Sequence, residues 1–218
     1  MESTVLEREH GTAHHPHVDV GVSGMKMGMW LFLITELLLF GGMFTVYAVF
    51  HSMYIADFKA AHHFINVRIG FINTLVLITS SFFMAMAVWA TQTDRRRLAS
   101  LFLGLVVLLG LTFLFVKLTF EWPEKFAHGL NPGGEEFMRF VQEGHVGKAL
   151  FFSLYFVMTG FHALHVLVGV GILFVMLLFA LRGRYSSRNY GPVEVAGLYW
   201  HLVDVIWIYL FPLFYLIK

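Results

Sequence analysis

The sequence predicts an all-α integral membrane bundle of five transmembrane helices. Three observations carry that reading. Of the 218 residues, 58% are hydrophobic and only 13% are charged, against roughly 45–50% and about 25% in soluble domains, so a surface wetted all round is excluded. The apolar residues gather into five runs, each long enough to supply the about 20 helical residues that cross a hydrocarbon core of about 30 Å. The runs do not alternate apolar with polar residues, which excludes the strands of about 10 residues that build membrane barrels. Cysteine is absent, so disulfide scaffolds, thiolate metal sites and a cysteine nucleophile are excluded. A net charge of +1 gives no electrostatic reason to expect nucleic acid as a partner.

Residues 1–27 form a polar, His-rich tail with no apolar core of the kind a cleavable signal peptide needs. Its His10, His14, His15 and His17 are expected to be solvated, since nothing in the pattern fixes a metal geometry. The membrane domain is expected over 28–218, with spans at about 28–50, 69–90, 98–119, 149–181 and 195–217. The fourth run exceeds the hydrocarbon thickness by roughly 15 Å. No turn signal divides it, so one helix that tilts or projects is expected.

The short loops set the orientation. Arg95, Arg96 and Arg97 lie between the second and third spans, and Arg182, Arg184 and Arg188 between the fourth and fifth. Five spans place both loops and the N-terminus on one side, which the positive-inside rule makes cytoplasmic, leaving the C-terminus external. The segment between the third and fourth spans carries Glu121, Glu124, Glu135, Glu136 and Glu143, with a turn at Gly129, Pro132, Gly133 and Gly134, and belongs on the opposite face. Trp30, Trp89, Trp122 and Trp200 fall near run ends and are expected in the interfacial aromatic belt. The spans do not pair into inverted halves, which argues against a secondary transporter.

Polar groups at membrane depth cost about 2.5–3.5 kcal/mol each on insertion scales when they are charged, so each needs a reason. Glu36 stands in LFLITELLLFGGMF, roughly 12 Å into the first span. It fixes helix packing or is linked to proton movement. No Lys or Arg follows Lys26 on that span, so a cationic partner must come from another helix, with His165 a candidate by depth. Gly41 and Gly42 are expected to admit a neighbouring helix. On the second span Asn73 and Ser80, and Thr74 and Ser81, are seven apart and make one small polar face suited to helix–helix contact. His162, His165 and Gly169 share a face of the fourth span, while His201 and Asp204 open the fifth. These histidines are hydrogen-bonded packing groups, or His162, His165, His201 and Asp204 hold a metal or haem.

LFLITELLLFGGMF, FINTLVLITSS, FEW, TGFHALHVLVG and YWHLVDVIW, in this order, together resemble subunit III of the haem–copper oxidases from about Gly28 to the C-terminus. The resemblance implies an all-helical accessory subunit that binds no haem or copper itself. Those cofactors are expected in partner subunits: subunit I, the main contact, which reduces oxygen and pumps protons, and subunit II. Membrane lipids are expected as further partners, in the inner membrane of a bacterium. The family's role would be to sustain proton uptake, oxygen access and stability of the core. Glu36 matches the family's intramembrane carboxyl, and Asn73, Glu121, His162, His165, Trp200, His201 and Asp204 match its other polar signatures. None of them is expected to be catalytic. The long form of the family has seven helices, whose first two make a V-shaped lipid cleft with the rest. The resemblance here starts at the third, so a lipid site built by the first two is expected only if another subunit replaces them.

Glu at position 36 resembles the cytochrome c oxidase branch more than the quinol oxidases; the alternative is a subunit III-like component of a quinol oxidase or a nitric oxide reductase. From other classes, a haem- or metal-carrying membrane electron-transfer protein would use His162, His165 and His201. A proton-coupled transporter would centre on Glu36.

Overall fold

The computed structural model describes residues 20–217, and the histidines of the leading tail lie outside them. The chain is helical almost throughout. Helix α1 (Val20–Met53) starts ahead of the apolar run, and a short α2 (Ile55–His62) follows it. Then come α3 (Val67–Gln92) and α4 (Arg96–Val116), which passes through a π-helical turn (Lys117–Glu121) into α5 (Trp122–Ala127). The amphipathic α6 (Glu135–Gln142) precedes α7 (Val146–Leu181) and α8 (Gly191–Tyr215). Five of these stretches are long and apolar enough to cross a membrane: Gly24–Met53, Val67–Gln92, Arg96–Ala127, Val146–Leu181 and Gly191–Tyr215.

α3 packs on α4, α4 on α7, α7 on α8 and α8 back on α3, so four helices close a ring, with α1 laid outside against α7 and α8. Among the described residues nothing covers the outer face of α1, with Leu31 67% and Leu38 71% exposed. The fourth run is a single helix of 36 residues, about 54 Å at 1.5 Å per residue. α2 and α6 both pack against it. From α2, Asp57 Oδ2 accepts from the Gly147 N–H at 3.1 Å, capping the first turn of α7 from another element. A Cβ on Gly147 would stand 2.6 Å from Asp57 and Tyr54, so this contact depends on glycine.

Three local expectations are corrected. Trp200 does not stand in an interfacial belt. It is fully buried at the centre of the ring, where a Cβ on Gly110 of α4 would come within 2.8 Å of its ring and one on Gly169 of α7 within 3.0 Å. Two bare backbones make the slot that the indole fills. Among the described residues no neighbour approaches Gly41 or Gly42, with nothing within 4 Å of either Cβ position. The segment between the third and fourth spans is not turn alone. Phe137 and Phe140, three apart, seat α6 on the bundle core, after a turn in which Gly129 (φ 62°) and Gly133 (φ 86°) take left-handed conformations.

Candidate functional site

Each sequence-marked polar residue at membrane depth needs a partner, and the helix ring distributes them into three groups. The first lies where α1 meets α7 and α8. Glu36 Oε2 is 2.8 Å from His165 Nε2, with both side chains about 15% exposed. The other ring nitrogen, Nδ1, is 2.7 Å from the carbonyl of Phe161 one turn back. A carbonyl can only accept, so Nδ1 carries a hydrogen. Neutral His165 then offers Nε2 as an acceptor, and the contact with Glu36 requires a proton on one of the two groups. A proton on either group would let the two meet as donor and acceptor. Phe40 stands edge-on to the imidazole, centroids 5.5 Å apart, and the Tyr199 hydroxyl donates to the His165 carbonyl at 2.9 Å. These contacts fix the ring's position.

Glu36 and His165 form part of the wall of a cavity of about 750 Å³, otherwise lined by apolar groups such as Phe32, Val168, Ile172 and Met176, with Tyr199 beside them. Its walls also include Met25 on α1 and Pro192 on α8. There the neighbouring Lys26 and Glu194 tie α1 to α8 at 2.8 Å. An apolar slot ending on one convergent polar pair is the form of a small-molecule or lipid site.

The second group was not singled out by sequence reading beyond Glu121. The π-helical turn brings Lys117 and Glu121 to one side, Nζ to Oε1 2.7 Å, both fully buried. Lys117 also donates to the hydroxyls of Tyr215 at 2.8 Å and Tyr155 at 3.3 Å. Both hydroxyls in turn donate to Glu121 Oε1. Lys117 further lies 5.0 Å over the ring of Trp207. All three ammonium hydrogens are used, so the charge is compensated inside the bundle. The bulge permits this, since it changes the register at the end of α4. Tyr215 reaches the cluster because Gly70 on α3 leaves room, a Cβ there meeting the tyrosine ring at 2.4 Å.

The third group is the seam between α3 and α8. Ser80 accepts from Trp200 Nε1 and Thr74 from Trp207 Nε1, each at 3.0 Å, and Ser81 Oγ is 2.7 Å from His201 Nδ1. The polar face of the second span is thus a helix-contact face. Asn73 and Asp204 are buried on the same helices, with no hydrogen bond from either side chain.

His162, His165, His201 and Asp204 do not converge. His162 faces inward, 5.0 Å from the Trp207 ring and edge-on to Phe113, with neither nitrogen hydrogen-bonded. His165 faces α1, and His201 is engaged by Ser81. Among the described residues no group of three or more His, Asp or Glu is placed to hold a metal ion. Three helical steps separate His162 from His165, about 60° around the axis, enough to send one into the ring and the other out of it.

A family model described as cytochrome c oxidase subunit III matches residues 135–218. Cytochrome c oxidase subunit 3 of Synechocystis sp. is 32% identical over 220 residues, covering 100% of this chain and 84% of that protein. That of Thermostichus vulcanus is 30% identical, covering 99% and 95% respectively. The chain is also 27% identical to a protein of Aeropyrum pernix named heme-copper oxidase subunit I+III, over 88% of this chain and 23% of that one.

Proposed function

The chain belongs to the cytochrome c oxidase subunit III family, and from that premise we propose that it serves an oxygen-reducing core through the Glu36–His165 pair and the cleft it faces. As a member it is an accessory subunit of a haem–copper oxidase and holds no catalytic centre itself. Haem and copper belong to the partner subunits in this reading, with subunit I the main contact and subunit II beside it. A relative named as a fusion of subunits I and III supports contact with subunit I.

The observation that supports the reading is the 2.8 Å contact between Glu36 and His165 at a membrane-buried cavity, across which the two would share a proton. A carboxyl at that depth has an energetic cost unless it is paired or used. Here it is paired by a group that can take its proton and return it. Such a pair can buffer a proton beside the core while the apolar cleft admits lipid chains and oxygen. The arginine-rich loops support an N-terminus on the cytoplasmic side of a bacterial inner membrane, with the C-terminus outside.

The test is Glu36→Gln in the assembled oxidase. The variant keeps the size and hydrogen-bonding capacity of the side chain, so the complex should assemble with an unchanged initial rate. Proton uptake or activity over prolonged turnover should fall. A variant complex that matches the wild type in both would reduce Glu36 to a packing role.

A further inference from the structure

On the side of the bundle opposite the arginine-rich loops, two cavities meet at the start of α3. One, about 470 Å³, is lined by His63, Asn66, Arg68 and, across from them, Glu124 of α5. The other, about 560 Å³, is a groove of Phe71, Ile72, Phe211 and Leu216 between the first turns of α3 and the end of α8. Val67 and Arg68 line both, so one arginine stands where a polar chamber joins an apolar groove.

Two features make this more than a surface crevice. Arg68 and Glu124 line the same chamber with opposite charges, yet they form no ion pair with each other, and among the described residues Arg68 has no acidic partner. Glu124 keeps 41% of its side chain exposed, with Lys125 3.4 Å away. Below them the groove leaves large apolar side chains uncovered, Phe71 at 52%, Ile72 at 57% and Leu216 at 51%. These lie at the ends of two membrane-spanning helices, hence at headgroup depth.

We propose that these joined cavities bind one phosphatidylethanolamine-type lipid. Its phosphate sits on Arg68, its ammonium on Glu124, and an acyl chain runs down the Phe71–Ile72–Phe211–Leu216 groove. The guanidinium can engage two phosphate oxygens at once. A primary ammonium can donate hydrogen bonds to Glu124, which a quaternary choline cannot do, and an anionic glycerol headgroup would meet the Glu124 carboxylate as a like charge. The site lies at the far end of α8 from the Lys26–Glu194 contact, shares no lining residue with the Glu36 cleft, and does not depend on the role given to that cleft.

The experiment uses the full chain in phosphatidylcholine nanodiscs doped with lipids carrying an acyl-chain diazirine. The lipids are phosphatidylethanolamine, phosphatidylglycerol and phosphatidylcholine probes, and cross-links are mapped by peptide mass spectrometry. The ethanolamine probe should label the peptides containing Phe71–Ile72 and Phe211–Leu216 in preference to the other two. Arg68→Gln should cut that label about fivefold, the factor one arginine at headgroup depth contributes, while Arg68→Lys should keep most of it. Glu124→Gln should remove the preference over phosphatidylglycerol and leave total labelling near its original level. Labelling unchanged in Arg68→Gln would overturn the site. Equal labelling by all three headgroups in the wild type would overturn the lipid assignment.

Discussion

Lys117 Nζ lies 2.7 Å from Glu121 Oε1 with both side chains fully buried, inside the π-helical turn that joins α4 to α5 within the third span. Removing one member of a buried ion pair leaves the other charge uncompensated, at a cost of about 3–5 kcal/mol, whereas replacing both by apolar groups can be neutral. Lys117→Met should therefore destabilise the chain by about that amount. Lys117→Met combined with Glu121→Leu should be less damaging than either single change. Thermal unfolding in detergent, run as a double-mutant cycle, checks this. Additive losses would mean that the pair is not coupled.

Gly110 faces Trp200 across the centre of the ring, where an added Cβ would sit 2.6 Å from Val170 and 2.8 Å from the indole. Gly110→Ala should cost about 1–3 kcal/mol by overpacking. The indole must shift to make room, so its emission should change as well. Gly104, whose Cβ position has nothing closer than 4.0 Å, is the control, and Gly104→Ala should be tolerated. Equal melting temperatures for the two variants would remove the slot argument.

Much of this was legible in the sequence, for identifiable reasons. Run length alone marks five spans, because the hydrocarbon thickness fixes how many residues each needs. The lone acid on α1 without a nearby cation pointed to a partner on another helix, and His165 is that partner. The Asn73–Ser81 face was readable as a contact face because small polar residues at sevenfold spacing have few other uses in a membrane. Lys117 was missed, hidden in a run read as apolar to Thr119. Its i,i+4 spacing to Glu121 was the available signal. Tyr155 and Tyr215 could not be assigned to that pair, since they come from 38 and 98 residues away. Trp200 was misplaced because a tryptophan near a run end looks the same whether it meets headgroups or two glycines.

Asp94 links the two arginine-rich loops. It takes a left-handed backbone conformation, φ 56°, and its carboxylate accepts from the Ser187 hydroxyl at 2.5 Å and the Ser187 N–H at 2.7 Å. Those two hydrogen bonds, helped by Arg96 and Arg188, hold its carboxyl below the usual carboxylate range. A carboxyl lowered on folding adds stability that is complete above its unfolded value, about 3.9, and is lost as pH falls through the lower folded value. Unfolding midpoints should therefore drop below about pH 4 more steeply in the wild type than in Asp94→Asn, which tolerates the same backbone conformation. Parallel curves would show that the link carries no charge-dependent stability.

Topology can be tested cleanly because the chain has no cysteine. Arg96 and Glu135 are both exposed, on the two sides of the bundle, whereas Leu130 in the same inter-span segment as Glu135 is fully buried and unsuited to labelling. In intact cells Arg96→Cys should resist a membrane-impermeant maleimide, and Glu135→Cys should react. The opposite pattern would invert the orientation.

The 2.8 Å contact between Glu36 and His165 makes a graded prediction about what each side chain can be replaced by. Nδ1 of His165 must carry a hydrogen because it faces the Phe161 carbonyl at 2.7 Å, which leaves Nε2 as an acceptor whenever the ring is neutral. In Glu36→Gln the amide N–H can donate to Nε2, so the contact survives with no titratable partner, and stability should stay within about 1 kcal/mol of the wild type. In His165→Phe the ring volume is kept and the partner is lost. Glu36 Oε2, which makes no hydrogen bond and has His165 at 2.8 Å as its ion-pair contact, is then left unpaired in an apolar wall at a cost of about 1–3 kcal/mol. Combining His165→Phe with Glu36→Leu removes the orphan and should recover most of that loss, which separates an unmet polar group from a packing defect. The proton itself can be followed by ¹⁵N NMR of the labelled imidazole. In Glu36→Gln the ring should be a neutral tautomer protonated at Nδ1, whereas in the wild type the Nε2 signal should report the position of the shared proton. A Nε2-protonated neutral ring in Glu36→Gln would contradict the hydrogen-bond assignment to Phe161, and with it the proton sharing proposed for the pair.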